Sequence, residues 1–200
     1  MSSASDFVRA NLVMLGYKSK QDIIENLFIK SLQESYVRLD KTISNENDIR
    51  DRFMEDLYFK PSELRKWLQI KAIQLSWENW VFTPSGDKAR TDISFRFSGM
   101  EYIMECKRLK FADKEYIEEG VERFVNLKYA KGDDQAAMVG FVINGDKVKI
   151  AKRLRYKIIP LDHTLTASEV SAIPRFDSRH KRVDNTQILL DHLFFDFQKK

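Results

Sequence analysis

Residues Arg90–Lys107 read RTDISFRFSGMEYIMECK. Two alternating runs flank Ser98-Gly99, the pattern of a hairpin closed by a two-residue turn. That turn sets the register, with Phe97 opposite Met100, Arg96 opposite Glu101, Phe95 opposite Tyr102 and Asp92 opposite Glu105. Side chains alternate across a sheet. One face therefore carries Asp92, Ser94, Arg96, Glu101, Ile103, Glu105 and Lys107. The other carries Ile93, Phe95, Phe97, Met100, Tyr102, Met104 and Cys106, and has to pack on a core.

Upstream of the hairpin the chain reads as helices. Ser5 opens one that closes at Gly16, and Ser19 caps another with Ile23, Ile24, Leu27, Phe28 and Leu32 at helical spacing. Ser44 or Asn45 opens a third, striped by Ile49, Phe53, Met54 and Leu57, and Pro61-Ser62 starts a fourth through Ala72. The aromatic run WENWVF reads as a strand and TPSGDK as a loop. Downstream come a helix over 113–131, an apolar strand AAMVGFVI buried on both faces, and a basic helix over 146–158. Two strands, RFDSRHKR and TQILLDHLFFDF, join around Asp184-Asn185. The order predicts an α/β fold with a mixed central sheet flanked by helices. A helical N-terminal extension over 1–43 precedes a domain over 44–200.

The chain of 200 residues is long enough for one domain with a real core. It has no apolar run of membrane-spanning length and no secretory leader pattern, and its one cysteine, Cys106, suits a reducing cytoplasm. Net charge is +4. Residues 141–200 hold 12 Lys and Arg against 7 Asp and Glu, so the basic excess lies in the last third. A basic face can meet phosphates, and a solvated helix face has the same composition. No phosphate-binding Gly-x-x-x-x-Gly-Lys loop and no Gly-x-Ser-x-Gly elbow is present. Cys106 falls on the apolar face, which argues against a thiol nucleophile.

Two carboxylates directly across a ladder repel, and close carboxylates do not both ionise cheaply. A divalent cation relieves the conflict, and Mg²⁺ takes one or two carboxylates while keeping several waters. Lys107 lies on the same face, two residues past Glu105, where an ammonium can orient water or meet charge on phosphorus. An Asp followed by Glu-x-Lys is a common spacing in so charged a chain, so the register carries this argument. Solvated charges on an exposed strand face give the same sequence.

Thr91-Asp92 followed by Glu105-Cys106-Lys107 resembles the PD-(D/E)XK nuclease superfamily, with Thr91 where its motif has Pro. The resemblance implies a restriction-endonuclease-like core over about residues 44–197. It implies a metal held by Asp92, Glu105 and the Cys106 carbonyl, a catalytic Lys107, and a further carboxylate on the first core helix. Glu46 fits that last place, with Glu55 as runner-up; Glu46 is also simply a favourable acid in a first helical turn.

The segment YIEEGVERFVNLKYAKGDDQAAMVGFVI is similar to the crossover helix and strand of small standalone members. There Arg123 and Lys128 could meet phosphate, and Arg123 could instead pair with Glu119. FDSRHKRVDNTQILLDHLFFDF resembles the C-terminal strand pair, with Arg179 and Lys181 as nucleic-acid contacts. His163, His180 and His192 stand at no zinc-ligand spacing and read as structural. The resemblance implies a Mg²⁺-dependent nuclease, with Mn²⁺ able to substitute, that hydrolyses phosphodiester bonds, in DNA first. Such enzymes serve restriction, phage defence or repair. A homodimer, or a partner held by the N-terminal helices, is compatible with this reading.

Overall fold

The computed structural model describes residues 4–82, 86, 88–171 and 174–198. Among these, helix α1 (Ala4–Met14) is followed by a long helix that begins as α2 (Lys20–Ile23), widens into a π-helical turn (Ile24–Ile29) and continues as α3 (Lys30–Arg38). Helices α4 (Glu46–Phe59) and α5 (Glu63–Gln69) lead to strands β1 (Gln74–Phe82), β2 (Lys88–Phe97) and β3 (Met100–Leu109). A π-helical turn (Ile117–Val121) running into α6 (Glu122–Val125) precedes β4 (Gln135–Val142) and α7 (Lys147–Ile158). Strands β5 (Thr164–Ala167), β6 (Arg175–Lys181) and β7 (Gln187–Asp196) follow.

The cap signals hold. Ser19 accepts from the Asp22 amide, Asn45 from those of Asn47 and Asp48, and Ser62 from that of Arg65. Gly16 ends the first helix at φ +87°, while the Ser5 side chain lies outside the described residues. Most of the expected TPSGDK loop also lies outside them, and its Lys88 opens β2.

The seven strands form one mixed sheet in the order β1-β2-β3-β4-β7-β6-β5. Pairs β3/β4 and β4/β7 are parallel and the others antiparallel. The expected α/β class with a mixed sheet flanked by helices is observed. Every residue of β4 is buried, as its unbroken apolar run requires of a central parallel strand. Its side chains alternate between two cores. Ala137, Val139 and Phe141 face a layer that includes helices α2 to α4, and Ala136, Met138 and Val142 face a layer that includes α6 and α7.

Three expectations change. The crossover helix ends at Val125 and not at Lys131, because Leu127 and Ala130 both take positive φ and turn the chain. A strand forms at Thr164–Ala167 that short, polar TLTA does not announce. The long N-terminal helix is no appendage. Phe28 is fully buried, stacks on Phe95 of β2 with centroids 4.5 Å apart, and shares one core with the sheet. Its apolar face is therefore already covered.

Gly120 of the crossover helix lies against β4. A Cβ there would run into the end of the buried Met138 side chain on β4.

Candidate functional site

The hairpin register is the one the turn dictates, from Phe97–Met100 back to Ile93–Met104. Ser98 and Gly99 both sit at positive φ, as a two-residue hairpin turn of this hand requires. There the β2/β3 ladder stops. β3 goes on pairing with β4 from Met104 to Leu109, while β2 leaves it. On its other side β2 pairs with β1 at Ile93 and Thr91, but not at Asp92. Asp92 is thus released from both neighbours at a fork between strands. Glu78, its would-be partner on β1, has φ +54°, a conformation costly for a residue with a Cβ.

The expected Asp92–Glu105 ladder pair therefore does not form, and the two carboxylates are held separately. Asp92 Oδ2 accepts from the Cys106 amide at 2.8 Å, and Oδ1 accepts from Arg50 Nη1 at 3.0 Å. Arg50 is 2 % exposed, and its Nη2 also reaches Glu78 at 2.6 Å. Arg90 joins Glu78 at 3.2 Å. Glu105 is 1 % exposed beneath the crossover helix. Its Oε1 takes Lys107 Nζ at 3.0 Å and Arg123 Nη1 at 2.7 Å, while its Oε2 is buried with no hydrogen-bond partner. Arg123 also donates to Tyr129 Oη at 2.9 Å, and Tyr129 donates to the Arg90 carbonyl at 2.6 Å.

Glu46 opens α4 and accepts from the Arg108 amide at 2.6 Å, which brings it to the same end of β3. The cluster is thus assembled from both layers, with Glu46 and Arg50 reaching in from α4 and Arg123 from α6. Burial raises the Glu105 carboxyl to about 7, with the Asp92 charge adding to the rise and Lys107 and Arg123 opposing it. Burial raises Glu46 too, and its charge interacts with those of Lys107, Asp92 and Arg50.

Of the residues singled out from the sequence, Asp92, Glu105, Lys107, Glu46 and Arg123 converge. Arg123 holds Glu105, where a phosphate or Glu119 was expected. Cys106 contributes its amide to Asp92, and its thiol is buried in the other layer and pushed well up by burial. Lys128 is exposed beside Tyr129. Arg179 and Lys181 do not join the site. They are exposed on β6, which β4 and β7 separate from β3, and they alternate with Ser178 and His180, which point the other way. Glu55 is exposed and pairs with Arg52, as a solvated acid would.

Sequence reasoning missed Arg50, Glu78, Arg90 and Tyr129 as members of the cluster. Arg50 left one signal, since it lies one turn after Glu46, on the face that carries Ile49, Phe53, Met54 and Leu57.

The donor set consists of hard carboxylate oxygens, the kind that suits Mg²⁺ or Mn²⁺, and Glu105 Oε2 has no hydrogen-bond partner. As the side chains stand, no group of three or more His, Cys, Asp or Glu among the described residues could hold a metal ion. No helix among the described residues is long and apolar enough to cross a membrane. Comparison with family models, curated proteins and solved structures gave no match.

Proposed function

We propose that this protein is a metal-dependent nuclease of restriction-endonuclease-like fold that hydrolyses phosphodiester bonds, with DNA as its first substrate class. The observation that carries the reading is Glu105. A carboxylate with one unpartnered buried oxygen, beside a second carboxylate and a lysine at a fork in a sheet, is a costly arrangement unless something uses it.

In this reading Asp92 and Glu105 hold Mg²⁺, with Glu46 close by. The ion supplies an acidified water and charge stabilisation at the leaving oxygen. Lys107 fixes Glu105 and places an ammonium where negative charge develops on phosphorus. Arg123 holds Glu105 from the helical side and also donates to Tyr129. The exposed Lys149, Lys152, Arg153 and Lys157 of α7 are the residues that would follow a phosphate backbone. Bases are not read by any feature of the site.

A second reading has its own observation. Arg50, Lys107 and Arg123 already neutralise Asp92 and Glu105, which is what a non-cleaving nucleic-acid-binding module would need to stay folded. A cleavage assay on supercoiled plasmid, single-stranded DNA and RNA, with Mg²⁺ or Mn²⁺ and with chelator, separates the two. Cation-dependent cleavage that disappears in Glu105→Gln and Lys107→Ala supports the nuclease. Salt-sensitive DNA binding with no cleavage under any cation supports the module.

A further inference from the structure

All three histidines of the chain lie in one hydrogen-bonded row that the reading above leaves unused. Tyr116 Oη stands 2.9 Å from His192 Nδ1, and His192 Nε2 stands 2.7 Å from Ser178 Oγ. Ser178 Oγ is 2.6 Å from His180 Nε2, and His180 Nδ1 is 3.1 Å from both His163 Nδ1 and Thr164 Oγ1. His163 Nε2 reaches Glu122 Oε1 at 2.8 Å. Tyr116, Ser178, His180 and His192 are buried, so only the His163–Glu122 end meets solvent.

The direction of every bond follows from that end. An ionised Glu122 can only accept, so His163 carries its hydrogen on Nε2 and accepts on Nδ1. His180 must then donate from Nδ1, shared with Thr164, and accept on Nε2. Ser178 gives its single hydrogen to His180 and accepts from His192 Nε2. His192 accepts on Nδ1 from Tyr116. Each neutral ring and the Ser178 and Tyr116 hydroxyls are thereby matched.

We propose that this row is a one-way relay in which Glu122 and His163 act as positioning residues, sensing a solvent proton and setting the seat of α6, and with it of Arg123 on Glu105. The link to Glu105 rests on the functional reading above; the relay itself does not. A proton taken from solvent leaves His163 with hydrogens on both nitrogens. His180 must then accept on Nδ1 and donate from Nε2, Ser178 must turn to His192, and His192 must donate to Tyr116. The Tyr116 hydroxyl hydrogen is left without an acceptor at the closed end, a buried polar group unmatched. Burial independently keeps the inner rings neutral, holding His180 down to about 3 and His192 well below its ordinary value.

The titratable groups against the row are Tyr116 at the helix start, Glu122 on α6, His163 beside β5, His180 on β6 and His192 on β7, with Cys106 of β3 behind Tyr116. The same strand pair braces the helix further along. The Val183 amide donates to the Val125 carbonyl at 3.2 Å, and Arg182 donates to that of Ala130 at 2.8 Å. Arg123 follows Glu122 directly and holds Glu105 at 2.7 Å.

Imidazole ¹⁵N resonances of the wild type, followed over a pH titration, test this without any substrate. At neutral pH the relay requires Nε2–H tautomers at His163 and His192 and an Nδ1–H tautomer at His180. On acidification the tautomers of His180 and His192 should reverse with the midpoint at which His163 protonates. Amide exchange at Arg123–Val125 should shift there by about fivefold, the worth of one ordinary hydrogen bond. In Ser178→Ala, His180 should still reverse while His192 no longer follows.

An Nδ1–H tautomer at His192 at neutral pH, or a His192 that ignores the His163 midpoint in the wild type, overturns the proposal. So does exchange at Arg123–Val125 that does not change. These readings need no cleavage, so a relay that behaves as stated in a protein without nuclease activity would sink the functional reading alone.

Discussion

Arg50 Nη1 lies 3.0 Å from Asp92 Oδ1, joining a 2 % exposed guanidinium on α4 to a carboxylate at the fork between β2 and β3. It pairs Asp92 where that carboxylate is buried. In the proposed site Arg50 and a cation would share Asp92.

Arg50→Met leaves Asp92 and Glu78 without their shared partner. Breaking a buried pair by removing one member costs about 3 kcal/mol or more. Urea denaturation with chelator should show that loss, and Mg²⁺ should recover part of it in the variant more than in the wild type. Equal recovery in both proteins would place the cation elsewhere.

Glu105 carries a pH signature. Its folded carboxyl titrates at about 7, above the ordinary carboxylate value, so the folded state binds the proton more tightly than the unfolded chain. Stability from this group is therefore greatest below the unfolded value and falls as pH rises to about 7. A shift of this size corresponds to a change on the order of 3 kcal/mol. Asp191, also raised by burial, to about 6, slopes the same way, so the difference between the wild type and Glu105→Gln isolates Glu105. That difference should move in favour of the variant from about pH 4.5 to about pH 7 and level off above, measured by denaturation in chelator. A flat difference would mean that Glu105 is not held this way.

The N-terminal helix is part of the core, so removing residues 1–43 should leave no cooperatively folding domain. Phe28→Ala tests the same contact more gently and should cost about 3–5 kcal/mol, as for other fully buried aromatics. A truncated chain that melts cooperatively near the wild-type temperature would show that the remainder has a sufficient core of its own.

Lys107 separates binding from chemistry. Lys107→Ala should lower cleavage by about a hundredfold or more while divalent binding survives, because the lysine is no ligand. Loss of both together would make it a structural partner of Glu105.

The hairpin was legible because a two-residue turn fixes register locally, and the predicted partners from Ile93 to Phe97 are the observed ones. The fork was not. Asp92 leaves the ladder where it pairs with Arg50, opposite Glu78 at positive φ, and both features come from other elements and write nothing into the strand itself. Glu46 was readable from its place after a helix cap. Arg123 was found but given the wrong partner, since Glu119 is near in sequence and Glu105 is near only once the crossover helix lies on β4. Four-residue β5 carries too little alternation to be seen, and it matters only because β6 offers it an edge.

The most direct test is calorimetric titration of Mg²⁺ or Mn²⁺ into the wild type, Asp92→Asn and Glu105→Gln, each checked for folding. The account predicts saturable binding in the wild type that is lost in both variants, which would make the two carboxylates one cation site. No saturable binding in the wild type, or undiminished binding in Glu105→Gln, would contradict it and leave the cluster as a self-neutralised ion-pair network.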